Sequence, residues 1–125
     1  MLAEIATILT IILIVVAYRF AFVLGLSDAD YAAFGERAGA VVGIIGGTLY
    51  TYLFARLLMR FLTGRFVAHG AVVALTAIAF SIAGSIAGHR GVPAGYVLAT
   101  VLKLSAGALA GFLYSRSLSR NRNVV

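Results

Sequence analysis

Four long apolar runs constrain this chain more than any other feature. They cover about residues 5–26, 38–58, 67–87 and 92–115. An α-helix of about 20 residues, rising ~1.5 Å per residue, crosses the ~30 Å hydrocarbon core of a bilayer. Strands of a membrane barrel would instead alternate in polarity over ~10 residues. The sequence therefore predicts an all-α integral membrane protein with four transmembrane helices in two hairpins.

The composition excludes most soluble classes of protein. Hydrophobic residues make up 62% of the chain and charged residues 11%, and the mean hydropathy is +1.06. Soluble domains average ~45–50% apolar and ~25% charged residues. Too few polar residues are present to cover a water-soluble surface, so a cytosolic enzyme and a nucleic-acid-binding domain are excluded. We expect residues 1–125 to form a single transmembrane domain with a basic tail at 116–125.

The arginines between the runs predict the orientation. Because Lys and Arg collect in cytoplasmic loops, the side of the bundle with more arginines is predicted to be cytoplasmic, and both termini lie on that side. Nine arginines against one lysine indicate a GC-rich bacterial genome, which places the protein in a bacterial cytoplasmic (inner) membrane. The cytoplasmic arginines are Arg56, Arg60, Arg65, Arg116, Arg120 and Arg122; those on the outer side are Arg37 and Arg90.

Two cations, Arg19 and Lys103, lie inside the predicted spans. A charge at the centre of a span costs ~2.5–3.5 kcal/mol on insertion scales, so it is a candidate functional residue. Counted from the outer helix ends, the two cations share a similar depth, and no acid is predicted there. They would therefore attract an anion or an anionic lipid headgroup. Hydroxyls that could complete such a site are those of Tyr18, Thr100, Ser105, Ser81 and Ser85.

Other interpretations of the two cations stay open. Side chains of a helix lean toward its N-terminus, so Lys103 can extend to the outer headgroups. Arg19 leans the other way, but it could reach Asp28, Asp30 or Glu36 if the outer loop folds back. Either cation could also contact another subunit, and each hydroxyl could bond to a carbonyl of its own helix.

Glu4 lies too close to the start of the chain to be predicted as a coupling carboxylate at the middle of a span. Acidic relays are usual in proton-coupled and sodium-coupled transporters. A passive channel or flippase-like role therefore fits better, and the signatures of small four-span families are not found at matching positions.

Glycines recur at every fourth position of the second and fourth runs. Small residues let helices approach closely in lipid, so we expect these rows to pack within the chain, in a homo-oligomer or on a partner. The segment from Gly43 to Arg56 also resembles Gly107 to Arg120, which indicates either a parallel internal repeat or a shared glycine-rich composition. The rows are Gly39, Gly43 and Gly47, and Gly107 and Gly111.

Turn residues predict where helices begin and end. Ser27 and Asp30 form a capping-box-like pair that predicts a short helix in the outer loop, ending at Gly35. Gly64 is predicted to end the second long helix, and Pro93 to open the fourth.

A catalytic or metal site has little support. An outer-face enzyme would have to use Asp28, Asp30, Glu36, His89 and Arg90, whose spacing matches no catalytic signature. His69 and His89 are about 30 Å apart along one helix and cannot share a haem iron, and the chain has no cysteine. We expect no enzyme activity and no cofactor or metal.

The sequence thus favours a homo-oligomeric transport or channel component for an anion or anionic lipid, with Arg19 and Lys103 as its attracting charges. The alternative is an accessory or structural subunit that packs on a larger membrane complex. The expected partners are anionic lipid headgroups and either further copies or another membrane protein, and no nucleic acid.

Overall fold

The computed structural model describes residues 1–22, 25–87 and 95–122, and the secondary structure within them is helical. Helix α1 spans Leu2–Ala17 and continues into a π-helical turn, Tyr18–Phe22. Helix α2 spans Asp28–Met59, α3 spans Phe66–Ala87 and α4 spans Gly95–Arg122.

Each of these four helices is long and apolar enough to cross a membrane. This confirms the prediction of an all-helical fold, over the described residues, with four helices that could each span a membrane. Large apolar side chains cover much of the outside of the bundle, and Leu13, Ile45 and Val97 are 68%, 65% and 71% exposed. Such surfaces are suited to lipid, whose tails are as apolar as leucine.

Helix α2 begins ten residues earlier than the apolar run predicts. Ser27 caps it as expected, because its hydroxyl accepts a hydrogen bond from the Asp30 amide at 3.3 Å and donates one to the Asp30 carboxylate at 2.6 Å. The prediction that this helix stops at Gly35 is wrong. A Cβ at Gly35 would sit 3.6 Å from a methyl group of Val15, so Gly35 is a helical contact point for α1 and not a stop.

The other end of α2 also differs from expectation. The helix ends at Met59, before Gly64, and the chain turns through Arg65, whose φ of 50° lies in the left-handed region. The Arg65 carbonyl then accepts a hydrogen bond from the His69 amide at 3.1 Å. Pro93, predicted to open the fourth helix, lies outside the described residues.

Helix α4 packs against both α2 and α3. Helices α2 and α4 are parallel, because Gly47 lies beside Lys103 and, further along both helices, Ala55 lies beside Ala110. Helices α3 and α4 are antiparallel. Gly70 of α3 faces Gly107 of α4, and Phe66, at the start of α3, faces Gly111.

Helix α1 packs mainly on α2 and is displaced along it. Its first turn lies beside the first half of α4, where Glu4 meets Lys103. Further along, the Thr10 hydroxyl lies 2.8 Å from the Tyr50 hydroxyl, and Tyr18 stacks on Phe34. In a regular four-helix bundle the start of α1 would be level with the end of α4. In this protein the two helix ends are at different levels.

Candidate functional site

Lys103 and Glu4 form an ion pair in the interior of the bundle. The ammonium of Lys103 donates a hydrogen bond to Oε1 of Glu4. Lys103 is 5% exposed and Glu4 8% exposed. Lys103 stands at the middle of the fourth apolar run, and a charge at the middle of a membrane span is the least favourable.

All four helices contribute to the surroundings of this pair. Ser81 of α3 accepts a second hydrogen bond from the Lys103 ammonium at 3.0 Å. Thr7, one turn after Glu4 on α1, is buried and donates to the Ala3 carbonyl at 2.8 Å. On α2, Gly47 supplies the space for the lysine stem, because a Cβ there would lie 3.0 Å from Cε of Lys103.

The local sequence explains why these side chains meet. Ala3, Glu4 and Thr7 share one face of α1, and they are the buried residues of that helix. The small side chain of Ala3 and the absent one of Gly47 let α1 and α2 approach the lysine. The Thr51 hydroxyl donates its hydrogen to the Gly47 carbonyl at 2.7 Å and therefore does not donate it to the ion pair.

A pair of this kind is expensive to break. Two opposite charges lose their hydration when they leave water. Their mutual attraction offsets this loss only when they are paired and hydrogen-bonded. Removing one partner from a buried pair typically costs about 3–5 kcal/mol, because the other charge is left uncompensated. The pair therefore links α1 to α4.

Arg19 lies elsewhere, at the opposite end of α1. Its guanidinium is 3.6 Å from the Asp28 carboxylate and 5.0 Å from the centre of the Tyr31 ring. The two side chains of this ion pair are 52% and 93% exposed. Arg19 is fifteen residues after Glu4, which is roughly 22 Å of helix.

The expectation of two unpaired cations at one depth is therefore wrong. Each cation has a carboxylate partner, and the two sites are at different heights because Glu4 and Arg19 lie at opposite ends of α1. For Arg19 the structure confirms the alternative of a pair with Asp28, which is the first residue of α2.

The hydroxyls expected to complete a site do not gather in one place. Ser81 contacts Lys103, and Thr100 is half-buried on the same face of α4. Tyr18 instead stacks on Phe34 with ring centroids 3.7 Å apart. Ser105 is exposed on the other side of α4.

The five glycines of the predicted packing rows have different surroundings. Gly107 and Gly111 touch the backbone of α3, and Gly47 touches Lys103. A Cβ at Gly39 or Gly43 would meet nothing within 4 Å. Gly43 and Gly107, which correspond in the predicted repeat, thus occupy unlike environments.

The acids of the predicted outer face have structural partners. Asp28 pairs with Arg19, and Asp30 takes part in the cap of α2. His89 and Arg90 lie outside the described residues. Over residues 1–22, 25–87 and 95–122, no three His, Asp or Glu side chains lie close enough together to hold a metal ion.

Sequence reasoning missed Glu4 as a member of the site. Its signal was nevertheless present. Glu4 is the only acid outside residues 28–36, and Lys103 is the only lysine. Opposite charges in otherwise apolar segments tend to pair with each other. For predicting the partner of Lys103, this tendency is a stronger argument than the position of Glu4 near the start of the chain.

Comparison with protein-family models, with curated proteins and with solved structures finds no match to this chain.

Proposed function

We propose that this protein is a transport or channel component of a bacterial cytoplasmic membrane and that its substrate is a small anion or an anionic headgroup. The observation that carries the proposal is the buried ammonium of Lys103, held where four helices meet. Ionisable residues inside membrane spans are rare, and they commonly mark substrate paths.

In the proposed mechanism an anion replaces Glu4 as the partner of Lys103. The ammonium keeps a neutralising partner throughout, so the exchange avoids an isolated buried charge. Ser81 accepts a hydrogen bond from Lys103 and keeps its own hydroxyl hydrogen to donate to the incoming anion. Gly47 leaves the lysine stem room to move.

The exposed Arg19 has a different part in this proposal. Because it is half-exposed at the far end of α1 beside Asp28, its positive charge offsets the acids at that end and lessens their repulsion of arriving anions. Such steering is screened by salt over ~8 Å at physiological ionic strength. Arg19 therefore affects the rate of arrival and not the binding at Lys103.

The proposed arrangement in the membrane follows the arginines. The loop with Arg60 and Arg65 and the tail with Arg116 and Arg120 face the cytoplasm, and both termini lie on that side. The four spans then form two hairpins. We also propose a homo-oligomer, supported by the open space next to Gly39 and Gly43, where a helix of a second copy could approach.

Anion uptake into proteoliposomes tests the proposal, with chloride, nitrate and inorganic phosphate as probes. Lys103→Gln is expected to reduce uptake to the level of empty vesicles. Glu4→Gln removes the competing carboxylate and is expected to lower the anion concentration that half-saturates uptake. Uptake by Lys103→Gln at the wild-type rate would refute the mechanism.

Arg19→Gln is the matched control, because it removes the other membrane-span cation by the same substitution. It is expected to retain most of the uptake, and its deficit should vanish at high salt. A complete loss in Arg19→Gln would move the substrate site to the far end of α1.

The second candidate is an accessory subunit of a larger membrane complex. The specific observation in its favour is again the open space beside Gly39 and Gly43, here occupied by a helix of another protein. Gly43→Leu is then expected to abolish co-purification with a stoichiometric partner from the native membrane. A protein that purifies only with itself would argue against this role.

A further inference from the structure

The ion pair of Lys103 and Glu4 is closed off on one side. Toward the end of α4, the backbones of Gly70 and Gly107 touch, so no water can pass between α3 and α4 there. In the same direction Ala55, Met59 and Ala110 are completely buried and pack together. This half of the bundle has the packing of a dry core.

The side toward the start of α4 differs, beginning with the hydroxyl of Tyr96. Its oxygen is buried and, among the described residues, has no hydrogen-bond partner. Tyr96 is seven residues before Lys103, so it lies on the same face of α4 and about two turns, or ~10 Å, away. A buried hydroxyl without a partner is unfavourable, and such a group is commonly satisfied by an ordered water.

Two more hydroxyls extend this polar face toward the ion pair. Thr100 lies between Tyr96 and Lys103 on α4 and is half-buried. Ser85 lies one turn beyond Ser81 on α3 and is half-buried as well. Because α3 and α4 run in opposite directions, Ser85 lies on the Tyr96 side of the pair.

On α2, Gly47 lies against Lys103. The interior around the pair is therefore lined by hydroxyls toward the start of α4, whereas it is apolar and packed toward its end.

We propose that a water-filled path leads to Lys103 from the end of the bundle at which α4 begins, and that it passes Thr100, Ser85 and the hydroxyl of Tyr96, which holds the first ordered water. Small anions reach the ammonium through this path and not from the other end. The inference rests on the proposed transport function for its purpose, but its geometry can be tested without any transport.

The absence of cysteine from the chain permits a direct test with single cysteines in native membrane vesicles of both orientations. The path positions are Thr100→Cys and Ser85→Cys. Ser105→Cys, on the exposed side of α4, and Thr51→Cys, in the packed half, are the matched controls. The probe is a membrane-impermeant anionic methanethiosulfonate, which reacts with thiolates in water.

The path cysteines are expected to react at least ~10-fold faster than both controls, because a thiol in apolar surroundings ionises poorly. They should react from the same side of the membrane as Ala32→Cys, near the start of α2, and not from the side of Ser119→Cys, near the end of α4. Equal rates at Thr100→Cys and Ser105→Cys would overturn the path. Labelling in denaturant verifies that every cysteine is present and reactive.

Adding Tyr96→Phe to Thr100→Cys tests the part assigned to Tyr96. Loss of the hydroxyl is expected to slow the labelling several-fold without changing the elution profile of the purified protein. An unchanged rate would remove Tyr96 from the path. Labelled path cysteines without anion uptake would refute the transport function but support the path. Anion uptake with unlabelled path cysteines would support the transport function but refute the path.

Discussion

Gly70 and Gly107 face each other across α3 and α4 so closely that a Cβ on either residue would run into the carbonyl oxygen of the other. Only a hydrogen fits at these two positions. In lipid, where apolar surfaces gain little by association, such close backbone contact is a main source of helix–helix stability.

Gly107→Ala is accordingly expected to destabilise the bundle. The added methyl would also lie 2.9 Å from the Cβ of Ala74, so relief requires the two helices to separate. Overpacking of this kind typically costs about 1–3 kcal/mol. Unfolding by denaturant in mild detergent measures the cost, with Gly43→Ala as the control, which should lose none. Equal stability of the two variants would contradict the helix contact.

Gly35→Ala is expected to stabilise the protein. Gly35 is a helical residue of α2, and an added Cβ would be in ordinary contact with Val15. Replacing glycine by alanine within a helix gains roughly 0.5–1 kcal/mol. The same unfolding measurement checks the sign. Destabilisation would indicate that the chain does end a helix at Gly35, as the sequence alone predicts.

Lys103 and Glu4 are expected to be strongly coupled in a double-mutant cycle. Lys103→Met alone leaves the glutamate buried without a partner and should cost about 3–5 kcal/mol. Adding Glu4→Gln removes the stranded charge, so the double variant should recover part of that loss. Contacting residues show interaction energies of about 0.5–3 kcal/mol. Strictly additive losses would mean that the two side chains do not meet.

Arg19→Gln is expected to change the stability little. Its ion pair with Asp28 is largely exposed, and exposed pairs contribute about 0–1 kcal/mol. The contact of the guanidinium with the Tyr31 ring adds an amount of similar size. Unfolding at low and high salt checks this, since the small difference should shrink with salt. A loss as large as that of Lys103→Met would contradict an exposed position.

The four helices were predictable because each apolar run is as long as a membrane is thick. The first turns of α2 were predicted as a separate short helix from Ser27, but their continuity with the span was not, because Gly35 lies in helical contact with Val15 and does not end the helix. Apolar length reports which residues suit lipid, and it does not report where backbone hydrogen bonding stops.

The ion pair could not be predicted because apolar runs contain no information on how far one helix slides along another. Counting from the helix ends places Glu4 and Lys103 at different depths. Gly47 decides otherwise, because the missing side chain leaves room for the Lys103 stem, and Thr7 of α1 lies next to the same position. Ser81, in contrast, was identified from the sequence as a candidate hydroxyl, and it does contact Lys103.

The sequence separation of ninety-nine residues between Glu4 and Lys103 has a consequence for biosynthesis. At ~5–20 residues per second, the ribosome needs about 5–20 s to reach the lysine after it has made the glutamate. During that interval the carboxylate of Glu4 on the first helix has no lysine to pair with. The ion pair of the first helix therefore forms only after the last helix has been made. A chain that stops before Lys103 keeps Glu4 without the lysine that pairs with it in the finished bundle.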